Sequence, residues 1–180
     1  MIMTKDNLFL RQKEIEDKWN RLTPCNLRPT PYPVWQYLQK QNVEALVNHG
    51  EKFLNDVRLA SSLEEKTSRI AFAVRDCEGS LVNILMLEVE DQSLANAGKQ
   101  FRLAFDKASI AGAAVHFGEP EEALGIAIGV ESAMALIIAT DGVPCWACLG
   151  PTCLRTLQVP ETVREVRIFC DIDPSGAMEE

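Results

Sequence analysis

ALGIAIGVESAMALIIATDGVPCWACL, residues 123–149, is the stretch whose reading decides the fold. Residues 123–128 form a short continuous apolar run, suited to a parallel strand covered on both faces. Gly129 opens a helix over 130–140 that ends at Asp141-Gly142, and residues 143–149 return to an apolar strand. Downstream, Pro151 starts a short helix through Leu157, and VREVRIFCD, 163–171, reads as a final strand. Strand, helix, strand, helix, strand is the grammar of an α/β fold with a parallel sheet. In such sheets functional groups gather at the carboxyl ends of the strands.

Upstream, SRIAFAVRD (68–76) and SLVNILMLEVE (80–90) flank Cys77-Glu78-Gly79, and a glycine in a three-residue connection predicts a β-hairpin. The second strand is apolar at nearly every position and is expected to be covered on both faces. Residues 91–107 read as a polar loop, 110–117 as a short strand and 56–60 as another. A helix is expected over 33–41, with Pro33 in its first position and Val34, Tyr37 and Leu38 facing inward. A further helix is expected to end near Asn55. Residues 4–22 carry Leu8, Ile15, Trp19 and Leu22 on one helical face, and LRPTPYP (27–33) breaks that pattern.

Net charge is −8, from 18 basic and 26 acidic residues. Affinity for nucleic acid comes largely from neutralising phosphates with Lys and Arg, so an acidic chain with no basic cluster makes a poor autonomous DNA binder. Nucleic-acid contact would be local, metal-bridged or supplied by a partner, and the acidity also serves solubility. No stretch approaches the roughly 20 apolar residues needed to cross a bilayer. The charged, amphipathic start lacks the apolar core of a secretory signal. A cytoplasmic location is therefore expected, and the six cysteines read as reduced thiols.

Asp171 and Asp173, one residue apart just past an apolar strand, are well placed for a divalent cation. Mg²⁺ takes carboxylate oxygens and stabilises charge building on a phosphate. The same Asp-x-Asp-Pro-Ser-Gly run also has the composition of a turn. Glu131, in the first turn of an otherwise apolar helix, is either an acid favoured by the helix dipole or a catalytic base or ligand facing the strand ends. Cys145 and Cys148 resemble half a zinc site. On a strand, however, positions three apart face opposite sides, so these thiols are read as structural. His49 and His116 sit in no nucleophile arrangement, and Gly125, Gly129 and Gly142 make no phosphate loop.

Taken together, residues 123–176 resemble the Toprim segment of phage- and plasmid-type DNA primases. The matching positions are Gly129, Glu131, Ala133, Gly142, Pro144, Trp146, Ala147, Leu157, Pro160, Asp171, Asp173 and Gly176. The Tyr37-Leu38 helix, the Val57-Arg58-Leu59 strand and the hairpin with Arg75-Asp76 and Gly79 are similar to the upstream part of the same family. The resemblance implies a Toprim-like parallel core, Mg²⁺ held by the Asp-x-Asp pair and a glutamate at the end of the first strand as general acid or base. In this sequence that last position is Ile128, which neither binds a metal nor moves a proton.

The expected organisation is an N-terminal helix and Pro-rich linker over 1–32 and a primase-like N-terminal subdomain of short helices and a β-hairpin over 33–117. A Toprim-like α/β core over 118–180, truncated after the Asp-x-Asp strand, completes it. The expected function is a primase-related binding module, catalytically weak or inactive, that meets a replication or host protein. The alternative is an active Mg²⁺-dependent primase or nuclease acting on nucleic acid through Asp171, Asp173 and Glu131.

Overall fold

The computed structural model describes residues 5–25, 32–60, 68–89, 100–105 and 110–169. The amphipathic start is helix α1 (Lys5–Asn20), followed by a two-residue strand β1 (Thr23–Pro24). Helices α2 (Tyr32–Lys40) and α3 (Val43–Asn48) come next. The helix expected to run on to Asn55 stops at Asn48. Gly50, at φ 136°, turns the chain into a separate 3₁₀ turn over Glu51–Leu54.

Strand β2 (Val57–Leu59) and the hairpin strands β3 (Ser68–Arg75) and β4 (Leu81–Val89) follow. The hairpin turn is held by Asp76, whose Oδ1 accepts the N–H groups of Glu78 and Ser80 at 3.0 and 2.9 Å. A bulge at the Val74/Arg75 step lets Leu81 and Ile84 both face α1 while Leu85, Leu87 and Val89 face the other side. The strand is thus covered on both faces, as expected. The polar reading of 91–107 is corrected at its end, where Gln100–Leu103 forms strand β5 against β4. Alternation of Gln100 and Arg102 with Phe101 and Leu103 is the period-two signal, obscured by the polar residues before it.

The second half contains β6 (Ala114–Phe117), β7 (Ala123–Ile128), α4 (Val130–Ala139), β8 (Cys145–Cys148), α5 (Pro151–Thr156) and β9 (Glu165–Phe169). Strand β7 pairs parallel with β8 on one side and with β9 on the other, and β6 closes antiparallel on β8. Among the described residues one sheet of nine strands runs through both halves. They join at β3, one of whose edges is divided. Most of that edge is taken by β2, and β6 pairs only at Val74↔Val115 and Arg75↔Ala114.

Three apolar clusters fix this arrangement. On one face α2, α3, the 3₁₀ turn and α4 bury Val34, Tyr37, Leu46, Phe53 and Met134 against Phe72, Val74, Val115 and Phe117. Phe72 and Phe117 meet edge to face, with centroids 6.2 Å apart. On the opposite face α1 lays Ile15 and Trp19 over Ala71, Ala73 and Ile84. Beyond it on that face, Leu124, Ile126, Trp146 and Cys148 pack with Cys153 of α5.

Candidate functional site

The carboxyl ends of β7 and β8 open beside β5. Strand β7 ends at Ile128, and Gly129, at φ 91°, carries the chain into α4 while donating its N–H to the Cys148 carbonyl at 2.8 Å. Strand β8 ends at Cys148, and Gly150, at φ 140°, turns into α5. These two turns face Leu85 and Phe101 across a groove of about 230 Å³, lined also by Ile128, Val130 and Leu149. The groove continues into a wider cleft of about 990 Å³ between Phe101–Leu103 and Phe105 on one wall and Gly150–Cys153 on the other. The floor at the strand ends is apolar, and Arg102 stands on the β5 wall.

Glu131 lies in the first turn of α4, as its sequence position requires. Its Oε1 accepts a hydrogen bond from Gln41 Nε2 at 3.4 Å. The Tyr37 phenol is held far above its usual range by burial first and by the nearby Glu131 carboxylate second. Glu131 is therefore engaged by α2 and the residue that follows it. Asp171 and Asp173 lie outside the described residues. Strand β9, which leads to them, runs beside β7 with Phe169 opposite Ala127, so its carboxyl end emerges next to Ile128.

The residues described here do not by themselves fit a hard divalent cation, which needs several oxygen ligands. Ile128 and Val130 offer none, and the described residues contain no group of three or more His, Cys, Asp or Glu side chains able to hold a metal. The thiols are no substitute. Burial pushes Cys145 and Cys148 each up to about 12, so both are neutral thiols near neutral pH, and they lie on opposite faces of β8. Their opposite facing is as the strand periodicity requires: Cys145 packs in the α4-side core and Cys148 in the α5-side core.

Sequence reasoning missed the β5 wall, and it also missed a stacked pair on the α1 face. His116 lies flat on Trp146, centroids 3.7 Å apart and planes 2° from parallel. Beside it Arg75 grips Asp56, donating from Nε to Oδ2 at 2.7 Å and from Nη2 to Oδ1 at 2.6 Å, with Nη1 donating to the Gly79 carbonyl at 2.8 Å. Strand parity places His116 and Trp146 on one face, but nothing local in the sequence signals that β6 and β8 are neighbours.

Element order and topology define an α/β fold of the Toprim-like, primase type, with a parallel core flanked by helices and preceded by an N-terminal helix and a β-hairpin. A solved structure that shares it is the DnaG primase catalytic domain bound to ssDNA, at a TM-score of 0.60 and 12% identity. The match covers 96% of this chain and 64% of that one, so this chain spans about two-thirds of the primase domain's length. No protein-family model matches the sequence, and no curated protein does. No helix among the described residues is long and apolar enough to cross a membrane.

Proposed function

We propose that this chain is a Toprim-like relative of the phage- and plasmid-type DNA primases, catalytically weak or inactive, that acts as a binding module in phage or plasmid replication or against a host protein. The observation that carries the reading is Ile128. It ends the strand from which the resemblance expects a catalytic glutamate, and it faces an apolar groove shared with Leu85, Phe101 and Leu149. An aliphatic side chain there supplies neither a metal ligand nor a proton acceptor. Three further features support it: the fold shared with a primase catalytic domain, the net charge of −8 and the engagement of Glu131 by Gln41.

Asp171 and Asp173 are the proposed remnant of a Mg²⁺ platform, with Glu131 as its third member. Bound there, Mg²⁺ would supply charge stabilisation to a phosphate. Nucleic acid enters as a ligand from the primase neighbour, which was bound to ssDNA. In this chain Phe101, 42% exposed, and Arg102 on the β5 wall are the side chains suited to a base face and a phosphate. The division into 1–32, 33–117 and 118–180 belongs to the same reading.

The test is primer synthesis and DNA nicking in the presence of Mg²⁺. The wild-type chain is expected to show neither, and activity from it refutes the inactive reading in favour of a working primase or nuclease. Ile128→Glu is expected to gain Mg²⁺-dependent activity if the rest of the site is intact. A Mg²⁺-induced rise in Tm that disappears in Asp171→Ala would show that the carboxylate pair binds the ion.

A further inference from the structure

Strand β9 is the last strand of the sheet. Its inner edge is paired with β7 from Ala123↔Glu165 to Ala127↔Phe169, and among the described residues nothing pairs with its outer edge. An outer edge presents N–H and C=O groups that water or another strand must satisfy. Natural edges are protected by proline, by bulges or by charges that repel a second copy. Strand β9 has no proline and runs in unbroken register with β7. Val166 and Ile168, 43% and 57% exposed, are large apolar side chains left open on it. Its two charges have opposite signs: Glu165 and Arg167 share the other face, and Arg167 Nε donates to Glu165 Oε1 at 2.7 Å.

The spacing of those charges selects a partner. Two copies of one strand pair antiparallel about a two-fold axis, and the residue on the axis fixes every contact across it. With Glu165 on the axis, two glutamates face each other. With Arg167 there, two arginines do. Like charges directly opposite are destabilising. With Val166 on the axis, the two valines meet and each Glu165 lies opposite Arg167 of the second copy, so that both charges on either strand are matched. Edge residues that guard against self-pairing would carry one sign.

We propose that β9 is a homodimer interface, in which two copies of this chain pair antiparallel through residues 164–168 about Val166, Arg164 lying opposite Ile168, and continue the sheet across the two-fold axis. The occupant of the edge is a second copy, chosen by charge complementarity.

The test is sedimentation of the full chain across a concentration series, with far-UV circular dichroism to confirm that each variant is folded. Glu165 and Arg167 are exposed, with side chains 57% and 42% accessible, so their substitution leaves the core intact. Wild type is expected to dimerise. Arg167→Glu, which sets glutamate against glutamate, is expected to weaken the dimer at least tenfold. The double variant Glu165→Arg/Arg167→Glu, with the charges exchanged, is expected to restore it. A monomeric wild type overturns the proposal; this is the result if the chain's own residues after 169 or an unrelated partner cover the edge. So does an Arg167→Glu protein that dimerises as wild type does, or a double variant that fails to recover.

Discussion

Acidification is expected to destabilise this protein more steeply than its His116→Phe variant, through a group that has no role in the proposed site. Burial first, and the Arg75 guanidinium second, push His116 from its ordinary 6.5 down to about 3. Its Nε2 is buried with no hydrogen-bond partner among the described residues. Between those two values the unfolded chain binds a proton at this imidazole and the folded chain does not. Stability contributed by the neutral ring is thus complete above pH 6.5 and is lost as pH falls toward 3. Each pH unit in that window corresponds to about 1.4 kcal/mol for a fully shifted group, so acidifying to about pH 4.5 removes at most about 2.7 kcal/mol. Phenylalanine keeps an aromatic ring on Trp146 and cannot titrate. Urea unfolding at several pH values between about 4.5 and 7 gives ΔG for both proteins, and the difference between the two slopes cancels the carboxylates common to both. Parallel slopes would refute the reasoning, because they would mean that His116 is protonated equally in the folded and unfolded chains.

Removing the Asp56 carboxylate leaves Arg75 the Gly79 carbonyl as its hydrogen-bond acceptor among the described residues, with the Glu119 and Asp76 carboxylates nearby, in a pair whose side chains are 26% and 14% exposed. The loss for Asp56→Ala is expected between the roughly 0–1 kcal/mol of exposed pairs and the roughly 3–5 kcal/mol of broken buried ones, at about 2 kcal/mol. A double-mutant cycle with Arg75→Met measures the coupling, and a coupling near zero contradicts the geometry. Gly118 and Gly79 share a φ of +83°, but a Cβ on Gly118 would lie 2.7 Å from Phe53 Cε1 and one on Gly79 would meet nothing within 4 Å. Both alanine variants carry the backbone strain of about 1–3 kcal/mol, and Gly118→Ala is expected to lose about 1–3 kcal/mol more by overpacking against buried Phe53. Equal Tm values for the two variants would rule out that clash.

The parallel half of the fold was legible because its signals are local. A continuous apolar run, a glycine and an apolar helix announce β7 and α4, and strand parity alone put Cys145 and Cys148 on opposite faces. The inward face of Val34, Tyr37 and Leu38 was equally readable, and all three are buried. What pairs across distance was not. Tyr37 was expected inside, but its meeting with Glu131 depends on how α2 and α4 stack on the sheet. Strand β5 was hidden because only Phe101 and Leu103 mark its apolar side, and neither is fully buried. The bulge at Val82 leaves no local mark in a strand apolar at nearly every position. Of the candidate site, the position of Ile128 at the end of β7 could be read directly, whereas the groove it faces is built from β4 and β5, distant in sequence. Asp171 and Asp173 fall outside the described residues, so their role rests on the sequence alone.

The divided edge of β3 has a mechanical meaning. The ladder joining the hairpin half to the parallel half has two rungs, at Val74 and Arg75, whereas β3 is bound to β4 along its whole length. Two rungs make a narrow backbone link between the halves, and the core that packs Phe72 and Val74 with Val115 and Phe117 spans it. The cleft has Phe101 and Leu103 on one side of that joint and Gly150 and Cys153 on the other. The Asp56–Arg75 clasp sits on one of the two rungs but ties β3 to the residue that leads into β2, so it stiffens the hairpin side and leaves the joint to the shared core.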